Sequence, residues 1–156
     1  NLGGISGADT ICGTGYKAMI VDETGCSGAP CRRACTTNNC TTGGITEHID
    51  WVLRPNVTYI RSDGVTPIFT ANWNGVFEFG TFTNAIGTST NGIWTGLNLS
   101  SSPWRTGTHC NNWSSNQSDV KGSVGAEYST EYNSVSYTID TIFCNNTVPH
   151  LYCVEQ

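Results

Sequence analysis

The sequence predicts an exported, disulfide-framed domain of short strands, with one short helix near its amino end. Three observations carry this reading. Eight cysteines occur in 156 residues, with Cys12 and Cys153 almost at the two ends, and an even count at that density reads as a disulfide framework made in an oxidising compartment. Charged residues are only 12% of the chain, while Gly, Ser, Thr and Asn fill much of the rest, as in loop-rich extracellular proteins with a neutral polar surface. Apolar residues come in short runs bounded by turn-forming residues, not in long helical stripes.

In chain order, Ser6 opens a stretch that places Ile11 and Cys12 about one turn on, which predicts a short helix carrying Cys12 inward. Residues 16–21 follow as a strand, ended by the turn-prone Asp22-Glu23-Thr24-Gly25. Residues 26–44 hold four cysteines among Gly, Pro, Thr and Asn and must form a stapled loop. Ile49, Trp51 and Leu53 then alternate with His48, Asp50 and Val52, predicting a strand with an apolar face. Residues 57–60 and 76–79 are further strands, with a turn at Ser62-Asp63-Gly64. Residues 98–134 are polar and irregular, too long for a passive connector, so they bind something or are pinned by cross-links. Residues 135–144 and 151–154 read as closing strands. A chain of this length buries roughly 70% of its unfolded surface as one domain, residues 1–156.

Composition also excludes partners. A formal charge of −5 argues against nucleic acid, heparin or anionic lipid bound by a broad basic field. The pair Arg32-Arg33 reads as solvated surface charge. No apolar run reaches the roughly 18–20 residues that span a bilayer, so no direct membrane insertion is expected. Asn1-Leu2-Gly3-Gly4 has no signal-peptide pattern, and because the cysteines require export, a leader and further segments are expected outside residues 1–156.

Seven short motifs occur in register. They are Gly4-Ile5-Ser6-Gly7-Ala8-Asp9 with Cys12, Gly15-Tyr16-Lys17-Ala18, Arg32-Arg33-Ala34, Ser62-Asp63-Gly64, Ile93-Trp94-Thr95-Gly96, Cys110-Asn111-Asn112-Trp113 and Leu151-Tyr152-Cys153-Val154-Glu155. In this order they resemble endostatin, the C-terminal domain of collagens XV and XVIII. They are most similar to a bacterial endostatin-like family of unknown function found in leptospiral surface proteins. The resemblance covers essentially the whole chain and implies an α+β, C-type lectin-like fold: a twisted, mainly antiparallel sheet, short helices and long disulfide-stapled loops. It also implies the pairs Cys12–Cys153 and Cys110–Cys144, and the first of these would close nearly the whole chain into a loop, worth about 4 to 5 kcal/mol in the chain-entropy picture. For Cys26, Cys31, Cys35 and Cys40 it offers no guide. Of three pairings, the local one, Cys26–Cys31 with Cys35–Cys40, is expected. The resemblance further implies that Trp94 and Trp113 are core residues.

Metal and catalytic chemistry find little footing. The C-x4-C-x3-C-x4-C cluster is wider than ordinary zinc knuckles, and disulfides are expected there instead. Endostatin's zinc-binding histidines have no counterpart, because residues 1–11 contain no histidine. His48, His109 and His150 are isolated, and a triad with Asp50, Asp140 and a serine has no nucleophile elbow behind it, so no catalytic residue is assigned. Glu127 and Glu131 read as solvated carboxylates. The Glu-Pro-Asn, Gln-Pro-Asp and Trp-Asn-Asp tripeptides of calcium-dependent lectins are missing, which leaves Asp119, Glu127, Glu131 and Asp140 as the only acids near the loop and makes a calcium cofactor a minor expectation. Sequons such as those at Asn56, Asn98, Asn112, Asn116 and Asn145 follow from composition if the chain is bacterial.

The candidate contact set is Trp104, Arg105, Asn111, Asn112, Tyr128 and Tyr132. Trp104 has two readings, an exposed hot-spot anchor beside Arg105 or packing on the underside of its loop. The expected function is a non-enzymatic recognition or adhesion domain on a bacterial outer surface, where homo-oligomeric display would multiply weak contacts. Through the resemblance, matrix and complement-type host proteins are its expected ligands. The alternatives are a glycan-binding lectin-like module and a structural spacer in an exported protein.

Overall fold

A computed structural model describes residues 1–22, 30–98, 102–137 and 141–156. Among these the architecture is mixed α+β with mostly antiparallel sheets. Helix α1 (Gly4–Cys12) leads into β1 (Tyr16–Ala18), which pairs antiparallel with the last strand, β8 (Cys153–Glu155), in the register Ala18↔Cys153. A hairpin of β2 (Thr58–Ile60) and β3 (Pro67–Thr70) forms a second sheet. The third sheet has four strands in the order β6 (Thr141–Phe143), β5 (Lys121–Ala126), β4 (Gly92–Trp94), β7 (His150–Leu151). Only the β4–β7 pair is parallel.

Among the described residues three disulfides tie these pieces together. Cys12 bonds Cys153 (Cα–Cα 5.4 Å), Cys110 bonds Cys144 (5.7 Å) and Cys35 bonds Cys40 (4.9 Å). The expected Cys26–Cys31 link lies outside the described residues, as does Asp140. Helix α1 starts earlier than Ser6 suggests: its N-cap is Gly3, whose left-handed φ of 78° suits glycine, and no side chain caps it.

The apolar interior is divided into two clusters. One gathers Phe69, Phe77 and Trp104 with Val76, Ile93 and Leu97. Its aromatic rings interlock, with Phe77 centred 4.4 Å from Phe69, 4.5 Å from Phe82 and 4.5 Å edge-on from Trp104. The other packs Ile5 and Ala8 of α1 against Trp94, Trp113, Val124 and the Cys110–Cys144 bridge.

Several expectations from sequence are corrected here. The alternation at 48–53 does not make a strand, only an isolated bridge between Arg33 and Ile49. Asp50 adopts φ 46° so that its carboxylate and carbonyl both reach Arg32, and a left-handed residue ends a strand. Residues 76–79 are also irregular, because the Phe77 carbonyl accepts from the Trp104 indole N–H (3.2 Å). Conversely, the polar stretch 98–134 contains β5, the longest described strand. Its small residues are what its position demands, since a Cβ on Gly122 would stand 2.7 Å from Cys110 Sγ and one on Gly125 2.1 Å from the Ser134 carbonyl. Of residues 135–144, only Thr141–Phe143 is strand among the described residues. Residues 151–154 divide at Tyr152 between β7 and β8, which belong to different sheets.

The sharpest reversal is Arg32. It is 0% exposed, not solvated surface charge. Its guanidinium donates to both Asp9 oxygens (2.9 and 2.8 Å), to Asp50 Oδ2 (2.5 Å) and to the Ala18 carbonyl (2.6 Å). Lys17 also pairs with Asp50. Burial alone would favour neutral forms, but these bonds outweigh it, holding the Asp9 carboxyl below its usual range and the Arg32 guanidinium above its own. One arginine thereby joins α1, β1 and the segment at 50.

Candidate functional site

Two rigid turns present side chains to solvent, one over each core. The first is built by Asn72, whose side-chain oxygen accepts from the N–H groups of Asn74 (2.9 Å) and Val76 (3.3 Å). The backbone closes the same turn through Asn72 N–H to Val76 O and Gly75 N–H to Asn72 O. Gly75 is needed at φ 64°, and a Cβ there would strike the His48 ring at 2.7 Å. At the apex Trp73 is 81% exposed, the most exposed large apolar side chain described.

This turn is clamped from below. Trp51 donates its indole N–H to the Gly75 carbonyl (2.9 Å), and the Asn74 amide donates to the Asn39 carbonyl (3.0 Å) in the Cys35–Cys40 loop. That loop closes around the buried carboxylate of Glu47, which accepts from the backbone N–H groups of Thr36, Thr37 and Gly43 and from both threonine hydroxyls at 2.6–2.8 Å. Burial pushes the Glu47 carboxyl up, but these donors win and bring it down to about 2. Gly44 abuts Asn74, so the half-exposed Ile45 stands on the turn adjoining that of Trp73.

The second turn is Cys110–Trp113, where all four residues have φ between 50° and 61°. Successive left-handed residues cost on the order of 1–2 kcal/mol each, least for asparagine. The cost is offset by the link to Cys144, by the buried Trp113 indole donating to the Val21 carbonyl (2.9 Å), and by His109 Nδ1 accepting the Asn112 N–H (3.0 Å). Asn111 and Asn112 are exposed on this turn. Beside them a cleft of about 240 Å³ is lined by Trp94, Trp113, the Cys110–Cys144 bridge, Ser115, Asn146 and Thr147.

The six expected contact residues separate in this frame. Asn111 and Asn112 are exposed, as are Arg105 and Tyr128. Trp104 is not: at 1% exposure it stacks on Phe79 and crosses Trp51 and Phe77 edge-on. Its role as a surface anchor is therefore withdrawn, because an indole whose N–H has a buried carbonyl partner gains more from the core than from the loop surface. Tyr132 is half-buried against Phe79 and so shares a neighbour with Trp104. Trp94 and Trp113 are core. Sequence reasoning passed over Trp73, although the Asn72-Trp73-Asn74-Gly75 run is a readable turn that would present its aromatic outward.

Among the other expected groups, Glu127 accepts from the Ser89 N–H (2.8 Å), and Asp119 and Glu131 are exposed. Among the described residues, the only three His, Cys, Asp or Glu side chains that gather closely are Cys35, Cys40 and His48. No helix among the described residues is long and apolar enough to cross a membrane.

Fold and site together define a disulfide-stapled α+β chain that holds exposed polar and aromatic side chains on preformed turns. It belongs to the family described as Protein of unknown function (DUF1554), which matches residues 1–130. No curated protein and no solved structure matches the chain.

Proposed function

We propose that this chain is a non-enzymatic recognition domain of C-type lectin-like, endostatin-like build, displayed on a bacterial outer surface and binding an extracellular protein of the host matrix or complement type. The observation that carries the reading is Trp73, held in solvent on a turn whose geometry is fixed by Asn72, Trp51 and Asn74. An apolar ring of that size is costly to expose, and because the turn that carries it is already ordered, little backbone entropy is lost when a partner covers it, which is how interface hot spots work. The exposed groups of both turns are an indole and amides, which bind without transferring protons or breaking bonds. Three disulfides and the lack of a spanning helix among the described residues are consistent with an exported protein.

A glycan-binding reading draws on the same place, because an exposed indole flanked by Asn72 and Asn74 offers a flat face to sugar C–H groups and amides to hydroxyls. Surface plasmon resonance on immobilised laminin and fibronectin, alongside a glycan array, separates the two. Trp73→Ala is expected to weaken protein binding at least ~30-fold, equivalent to about 2 kcal/mol, with an unchanged unfolding midpoint. Binding that survives this substitution would remove the assignment of the Trp73 turn, and binding to glycans alone would select the second reading.

A further inference from the structure

Under the Trp73 turn, a ring nitrogen of His48 and the Sγ atoms of Cys35 and Cys40 lie within 4.8 Å of one another. Both cysteines are fully buried and joined as a disulfide. His48 Nε2 is buried without any hydrogen-bond partner. A buried nitrogen left so needs an explanation, and an imidazole gathered with two cysteine sulfurs is the donor chemistry of a zinc-type site.

We propose that opening the Cys35–Cys40 bridge creates a three-donor site, two thiolates and the His48 imidazole, for a thiophilic cation of the zinc type. A thiol or phosphine reductant supplies the two electrons that break the S–S bond. With a phosphine, water provides the oxygen of the phosphine oxide and its two protons form the two thiols. Metal binding then releases both thiol protons, and the imidazole donates its lone pair with no proton change. Zinc bonds of about 2.3 Å to sulfur and 2.0–2.1 Å to nitrogen place tetrahedral donors roughly 3.5–4 Å apart, so the two sulfurs, once released from a bond of about 2 Å, must move apart by roughly 2 Å, while the imidazole already lies within reach. The ion replaces the covalent staple: the 35–40 loop stays closed, and the Asn74 amide keeps its Asn39 partner. In the oxidised protein both sulfurs are occupied and the site is shut.

The test uses the full chain treated with a phosphine, with alkylation mapping to follow each bridge and Co²⁺ titration read by thiolate charge-transfer absorption. Reduced wild-type protein is expected to bind one Co²⁺, displaced by Zn²⁺, and a Cys110→Ser/Cys144→Ser variant should bind equally well. Cys35→Ser/Cys40→Ser and His48→Asn should each lose at least ~100-fold in affinity; asparagine keeps a polar side chain while removing the imidazole nitrogens. Unchanged affinity in either variant, or a Cys35–Cys40 bridge that stays closed while the other bridges open, would overturn the assignment. If His48→Asn does not fold, X-ray absorption of the wild-type zinc complex decides: two sulfurs with one imidazole are expected, and any shell without imidazole refutes the site.

Discussion

The core around Phe77 and Trp104 is framed by buried charge and interlocked rings, whereas the core around Trp94 and Trp113 is framed by sulfur bridges to distant parts of the chain. Each carries an exposed turn made rigid in its own way. The Trp73 turn is clamped by hydrogen bonds from Asn72, Trp51 and the loop that Glu47 gathers, and that loop also carries the local Cys35–Cys40 bridge. The Cys110–Trp113 turn is a left-handed backbone held by a disulfide and a buried indole. The first arrangement depends on the ionised Glu47 and only a short-range bridge, and the second on a long-range bridge that reduction would open. Arg32 links the two, since Asp9 lies on the helix of one core and Asp50 on the segment feeding the other.

This contrast can be broken most strongly at Cys12–Cys153. That bridge spans 141 positions and Cys35–Cys40 only 5, so the chain-entropy picture gives about 5 kcal/mol for the first and about 2 for the second. Denaturant unfolding of Cys12→Ala/Cys153→Ala and Cys35→Ala/Cys40→Ala should show that order, and equal losses would mean that closure of the long loop is not what stabilises the termini. The next largest effect is expected from Arg32→Met. It leaves Asp9 and Asp50 without their shared partner, and because both aspartates retain partial contact with water the loss should be about 3 kcal/mol, at the lower end for a broken buried pair. A midpoint unchanged from wild type would show that the two cores do not depend on this link.

The smallest effect, and the one that sharpens the comparison, is acid sensitivity. Glu47 titrates at about 2 in the folded protein against an ordinary 4.5. A depressed folded value means that its stabilisation is complete above about 4.5 and fades as pH falls toward 2. The 36–43 loop covers this carboxylate, and its Asn38, Asn39, Thr41 and Thr42 are exposed, so solvent screening reduces the effect to roughly 1–2 kcal/mol. Glu47→Gln should lower the neutral-pH midpoint and flatten the decline between pH 4.5 and 2. An unaltered slope would place the acid sensitivity elsewhere.

Much of the framework was legible in the residues. Cys35–Cys40 followed from locality, the Ser62-Asp63-Gly64 turn from its composition, and α1, β1 and β2 from short patterns near where they occur. What misled was reading each segment alone. Residues 48–53 alternate like a strand, but the Asp50 backbone is bent to serve Arg32. Residues 121–126 look like polar loop, yet their glycines are what let a strand pass against Cys110 and Ser134. Trp104, in a serine-rich stretch, gave no local sign of the aromatic cavity that receives it.

The sequence by itself determined the covalent logic: which cysteines lie far enough apart to close the chain, and which turns must form whatever surrounds them. Only the tertiary structure decided burial, because whether an arginine, a glutamate or a tryptophan lies inside depends on partners supplied by segments far away. Asp9 and Asp50 make a site for Arg32, the 36–43 loop makes one for Glu47, and Phe77 and Phe79 make one for Trp104. Without these neighbours each would remain in water, since a buried charge or indole N–H is tolerated only where its hydrogen bonds are met.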